Sequence, residues 1–225
     1  MYVREQESTE LFGMDTARIQ DDEISFSTSQ NYCVCVVDII NSTEIILGMG
    51  STQKVRKYIS TFINSMTTLA RNFDATIVKT VGDAVIFYFP ETSDSNNQSS
   101  FKKAFDCFAA MLDACPLINA TLQKESLPPL SYRISADYGR VEVARSASSR
   151  EDDLFGSTMI LCVKINSMAR RNGIVIGEDL YRIARSLQLE RDYKVTEIGA
   201  YETGLKFSYP VYEVTCGKAR FSISQ

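Results

Sequence analysis

A long helical stripe that runs directly into a β-hairpin limits what this chain can build. From Lys54 the apolar positions are 55, 58, 59, 62, 63, 66, 69, 70 and 73. That i, i+3, i+4 rhythm predicts a helix with one buried and one solvated face. The stretch ATIVKTVGDAVIFYFP, residues 75–90, follows at once. Its two apolar runs flank Val81-Gly82-Asp83 and predict paired antiparallel strands. Such a helix must bury its stripe against another layer, and the hairpin supplies one.

The remaining segments extend this pattern. YCVCVVDII (32–40) is a short Val/Ile-rich run that predicts a central strand. ETSDSNNQSS (91–100) reads as a polar loop, positions 101, 104, 105, 108, 111 and 112 as a second amphipathic helix, and LPPL (127–130) as a connection. YRISADY (132–138) alternates apolar and polar residues, so one face of that strand is buried. Gly139 is expected to turn the strand into VEVA, and SASSREDD (146–153) to form a charged loop. MILCVKINSMARR (159–171) looks helical, GIVIG (173–177) returns as a strand, and a helix near 178–188 with two further strands closes the order. This succession predicts an α+β fold, helices packed over a mostly antiparallel sheet. Residues 1–30 read as a polar arm or linker, 31–216 as one domain and 217–225 as a tail.

Composition removes several chemistries. There is no histidine, so no imidazole can act as base, nucleophile activator or metal ligand. A formal charge of −4 gives no support to a nucleic-acid surface. Six cysteines occur without a Cys-x-x-Cys pair; they read as small buried residues of a reducing compartment, a four-thiolate zinc site being the lesser alternative. The N-terminal MYVREQESTE has no apolar leader, and no apolar run approaches the ~20 residues of a membrane span. A cytoplasmic location is expected.

Two aspartates interrupt apolar strands. Asp38 ends VCVVD, and Asp83 sits in the hairpin turn. Either alone fits a capping or turn residue. If the first strand lies beside the hairpin, however, their carboxylates converge, and a divalent cation relieves the repulsion. An all-oxygen set suits Mg²⁺ or Mn²⁺, normally completed by substrate phosphates. Beyond Asp38, Ser42 or Thr43 is expected to cap a helix, and the N–H groups of Ile40, Asn41, Ser42 and Thr43 could cradle a polyphosphate.

V-D-I-I-N-S-T, followed by K-T-V-G-D-A-V with its aspartate 45 positions after Asp38, resembles the class III adenylate/guanylate cyclase catalytic domain. The resemblance runs from about Tyr32 to Thr215, through DLFG (153–156), GIVIG and GLKFSYPVYEV (204–214). It implies a ferredoxin-like βαββαβ cyclase fold and conversion of ATP to 3′,5′-cyclic AMP and pyrophosphate. It further implies a head-to-tail homodimer in which each site takes metals from one chain and base-reading residues from the other. Asp38 and Asp83 would hold two ions with the Ile39 carbonyl, the two-metal mode of phosphoryl transfer. Lys79 would read the base with Asp153, facing away from Asp83 to serve the opposite site, and Lys206 would neutralise the terminal phosphates. A lysine donor and an aspartate acceptor match N1 and N6 of adenine, so ATP is favoured over GTP. As a plain hairpin residue, Lys79 would need no such role.

One part of the family pattern is missing. An Asn and, four residues on, an Arg normally orient the ribose and stabilise the charge on the transferred phosphoryl group. The ungapped register from Gly156 to Gly173 puts Ile160 and Lys164 there. Isoleucine donates nothing, and lysine lacks the planar fork. Asn166 and Arg170 have the right mutual spacing but the wrong register. Two functions follow: a slow nucleotidyl cyclase with Lys164 as a weakened catalytic cation, or a domain that binds metal-nucleotide without turnover and regulates a partner. An RNA-binding sheet fits poorly with the acidic charge.

Overall fold

The computed structural model describes residues 24–146, 152–202 and 208–216. Strands β1 (Ile24–Ile39), β2 (Thr76–Val81), β3 (Ala84–Phe89) and β4 (Tyr132–Ser146) form the heart of one eight-stranded sheet. Strands β5 (Asp152–Phe155), β6 (Gly173–Gly177), β7 (Tyr193–Glu202) and β8 (Ser208–Cys216) complete it. The order is β2-β3-β1-β4-β6-β8-β7, with β5 paired to β4. Only β4–β6 is parallel among the described pairs. Within this, β2-β3-β1-β4 with helices crossing between them is the expected ferredoxin-like βαββαβ unit.

The helices are α1 (Ser42–Gly48), α2 (Thr52–Asn72), α3 (Gln98–Asp113), α4 (Cys115–Lys124), α5 (Ser157–Ile165) and α6 (Glu178–Ser186). The predicted stripe is the buried face of α2, where Tyr58, Phe62, Met66 and Ala70 are sealed from solvent. They pack with the inward residues of α3, α4 and α6 on one side of β1, against Cys33, Cys35, Val37 and Ile39. The alternate residues Val34 and Val36 face the other side, where α5 contributes Met159 and Cys162. The half of β1 from Cys33 onward is thus buried on both faces, which is why that half is apolar but for Asp38, whereas residues 25–31 are mostly polar and largely exposed. All six cysteines are free, and five of them are buried.

Several local expectations change. β1 starts at Ile24, within the segment read as an arm, because the long β4 pairs with it back to Ser146. Gly139 does not turn the chain; β4 continues straight through it. A Cβ there would lie 2.6 Å from Thr158 Oγ1, so glycine permits the close approach of α5 to the sheet. A fourth helix, α4, precedes the LPPL connection, entered through Pro116 in its first turn. Together α3 and α4 make one 27-residue stretch, Gln98–Lys124, apolar enough to cross a bilayer by length and composition. Its large side chains, Phe101, Phe105, Phe108, Met111 and Leu122, are instead buried in the protein core. The segment is therefore a core helix pair.

Candidate active site

Pairing decides the geometry. The register Asp38↔Ala84 sets the end of β1 beside the first residue after the hairpin turn. That turn is tight: Val81 pairs with Ala84, leaving Gly82 and Asp83 as the loop, with Gly82 at φ 61°. A side chain at Gly82 would meet strain in this left-handed conformation. The two carboxylates consequently meet. Burial, the negative charge of Asp83 and a side-chain hydrogen bond with it push the Asp38 carboxyl up to about 6, against the Arg133 guanidinium.

Arg133 is the residue that sequence reading missed. It sits on β4 directly opposite Asp38, and its Nη2 lies 3.8 Å from Asp38 Oδ2. In the alternating strand YRISADY an arginine at this position looks like any solvated residue. Only the pairing of β4 with β1 places it at the carboxylates.

Among the described residues, three buried side-chain nitrogen or oxygen atoms lack a hydrogen-bond partner: Asp83 Oδ2, Arg133 Nε and Tyr58 Oη. The first two belong to the Asp38 cluster. Burial and then the negative charge of Asp83 push the Tyr58 phenol up to about 12, so the third feels the same carboxylate. Buried polar atoms are nearly always satisfied in proteins. A group of unsatisfied atoms at one end of a sheet marks a place prepared for something else. Two carboxylates and the Ile39 carbonyl are the kind of hard oxygen donors that Mg²⁺ or Mn²⁺ takes. No group of three or more Asp, Glu, Cys or His side chains suited to a metal occurs among the described residues, so a ligand would have to complete the shell.

The second pair also forms. Lys79 Nζ is ion-paired with Asp153 Oδ2 across the gap between β2 and β5, both side chains about one-third exposed. Asp153 is held by its neighbour, since the Leu154 N–H donates to its Oδ1 at 2.8 Å. Lys79 and Leu154 line a cavity of about 430 Å³ with Tyr88, Asn64, Thr67 and Arg71. Lys79 pairs with Ile86, and Val81 with Ala84, so Lys79 lies on the same sheet face as Asp38 but farther along the hairpin.

The other expected residues separate into groups. Ile160 is 61 % exposed, and Val163 and Lys164 are exposed one turn later on α5. Asn166, by contrast, is buried; its amide donates to Ser135 Oγ at 3.1 Å and to the Val36 carbonyl at 3.4 Å. Arg170 is bound to Glu213 at 2.6 Å. Asn166 and Arg170 therefore fasten the end of α5 to the sheet and do not replace the missing pair. In the segment after Asp38, neither Ser42 nor Thr43 caps α1; Asn41 occupies that position at φ 56° without a side-chain cap bond. The Ile40 N–H is committed to the Ser131 carbonyl at 2.8 Å, which removes it from any phosphate cradle. Lys206 lies outside the described residues.

The model of the adenylate and guanylate cyclase catalytic domain matches residues 24–210. A cytidylate cyclase from Staphylococcus aureus is 29% identical over 83% of this chain, which spans about half (49%) of that relative's length. The adenylyl cyclase CyaB from P. aeruginosa superposes with a TM-score of 0.75 at 18% identity, covering 87% of this chain and 98% of that one. The guanylate cyclase domain of RhGC from Catenaria anguillulae, solved in complex with GTP, gives 0.70 at 17% identity over 85% and 100%. At these identities the two structures attest the fold.

Proposed function

Because this chain belongs to the adenylate and guanylate cyclase catalytic domain family, we propose that it cyclises a nucleoside triphosphate whose base sets an exocyclic amine beside an unprotonated ring nitrogen on its pairing edge, ATP in the first instance. In the reaction the ribose 3′-oxygen attacks the α-phosphorus, its proton is released, and the bond to the pyrophosphate leaving group breaks. The observation that carries the reading is the cluster of Asp38, Asp83 and Arg133 with its unsatisfied buried atoms. Asp38, Asp83 and the Ile39 carbonyl would hold Mg²⁺ or Mn²⁺. Bound there, the metal supplies Lewis-acid stabilisation of charge on the phosphates and the attacking oxygen. Arg133, beside Asp38, places a fixed positive charge where phosphate oxygens would arrive. Lys206 is the second cation proposed for the terminal phosphates.

Base choice rests on Lys79 and Asp153. The lysine donates to an unprotonated ring nitrogen and the carboxylate accepts from an amine, the pattern of adenine at N1 and N6. Cytosine presents the same pattern at N3 and N4, whereas guanine and uracil reverse it. The cytidylate cyclase relative favours CTP as the second reading. Incubation with each of ATP, CTP, GTP and UTP plus Mn²⁺, with products separated by chromatography, tests both. ATP and CTP should lead GTP and UTP by about 10-fold or more, since a matched pair of base contacts is worth roughly 1–3 kcal/mol. A GTP or UTP preference would reject the role of the pair, and the ATP/CTP ratio chooses between the readings.

The exposed apolar surface of α5, Ile160 and Val163, supports the proposed head-to-tail homodimer, in which α5 would reach the partner's site. There Ile160 contributes no donor, and Lys164 is the one cation of that turn. Turnover is expected to be slow for this reason. The double substitution Ile160→Asn, Lys164→Arg should raise it by on the order of 10², the value of one preorganised donor to a transition state. An unchanged rate would mean that α5 does not reach the reacting phosphate. Absence of cyclic product from all four nucleotides, with metal-nucleotide binding intact, would identify a binding domain that lacks turnover.

A further inference from the structure

Resting on the metal-site reading above, we propose that Tyr58 is a positioning residue for Asp83, its phenol holding one buried water against Asp83 Oδ2. Tyr58 lies on the buried stripe of α2, completely removed from solvent among the side chains of the main core. Packing alone explains its ring but not its oxygen. A phenylalanine would fill the same space without desolvating a hydroxyl, which costs about 1–3 kcal/mol when left unmatched. Tyr58 Oη and Asp83 Oδ2 are both buried and both lack a partner, one a donor and the other an acceptor. α2 rests against the β2–β3 hairpin that carries Asp83, and the carboxylate's charge acts on the phenol. A water between them would satisfy both atoms and fix the direction in which Asp83 presents its remaining lone pairs. Groups that orient a metal ligand in this way typically change metal affinity 10- to 100-fold when removed.

The test uses Mn²⁺ alone as the probe, with free Mn²⁺ read by electron paramagnetic resonance on the whole chain without nucleotide. Tyr58→Phe should bind Mn²⁺ about 10-fold or more weakly than the parent while melting within a few degrees of it. Asp83→Asn serves as the reference for a lost ligand. If Asp83→Asn weakens binding and Tyr58→Phe does not, the Tyr58 inference fails while the metal site stands. If the parent and Asp83→Asn bind equally weakly, the metal reading fails and this inference with it. A large fall in melting temperature of Tyr58→Phe with unchanged Mn²⁺ affinity would show that the hydroxyl serves the fold, and would likewise overturn the proposal.

Discussion

Asp38→Asn should lose cyclic-nucleotide formation by at least about 10²–10³ and yet unfold at a higher temperature than the parent in metal-free buffer. The two effects have one cause. Asp38 is held beside Asp83 in a partly buried site where desolvation and the neighbouring negative charge destabilise its carboxylate. Removing one carboxylate relieves the repulsion, by on the order of 1 kcal/mol, which for a chain of this size corresponds to about 2–4 °C. The same substitution deletes a ligand from a site with only two carboxylates, and the loss at a single electrostatic contact of this kind sets the scale of the rate effect. Activity assays with Mn²⁺ and thermal melts with a chelator measure the two halves separately. An inactive variant with a lower melting temperature would make Asp38 a structural residue, and full activity would remove it from the site.

The second large effect concerns stability against pH and lies away from the site. Asp137 on β4 is almost fully buried, and burial pushes its carboxyl from 3.8 to about 7, against donors that include the Tyr138 N–H and the Tyr209 hydroxyl, each at 2.9 Å. The charge of Asp179 at the start of α6 adds to the rise. Gly177 leaves the space this carboxyl needs, since a Cβ there would come within 2.5 Å of it. A raised folded-state value means that the native chain keeps its proton where the unfolded chain has released it. Stability from this group is therefore complete below about pH 4 and declines as pH rises towards 7. Between pH 5 and 8 the decline should be roughly 2–3 kcal/mol, at 1.36 kcal/mol per unit over the interval that lies below 7. Urea unfolding of the parent and Asp137→Asn across that range isolates the contribution. The gap between the two should narrow or reverse with pH; parallel curves would show that Asp137 is ionised in the fold throughout.

What could be read from the chain followed from period and order. The stripe of α2 and the two apolar runs around Gly82 needed only side-chain spacing, so the hairpin and its neighbouring helix were plain. Asp38 and Asp83 were legible because charged residues that interrupt apolar strands contradict local expectation, whereas the roles of Lys79 and Asp153 came only with the family resemblance. Arg133 and Tyr58 were not legible, for opposite reasons. An arginine on an alternating strand and a tyrosine on a helical stripe both satisfy their local pattern. Their importance arises only when β4 pairs with β1 and α2 settles on the hairpin. The error at Gly139 has a similar origin: a glycine needed for close contact between layers has the same local signature as one needed for a turn.

The ion pair between Lys79 and Asp153 has one more consequence. The groups proposed to choose the base already satisfy one another. An arriving base must exchange two contacts for two contacts, so recognition contributes mainly by refusing mismatched rings and adds little grip. Most of the hold on a nucleotide would then fall to its phosphate chain, which in the proposed head-to-tail homodimer meets the metal-holding aspartates of the other copy. On that account inorganic triphosphate should compete far better than a free nucleoside, and in the proposed dimer fidelity and tenacity would be supplied by different copies of the chain.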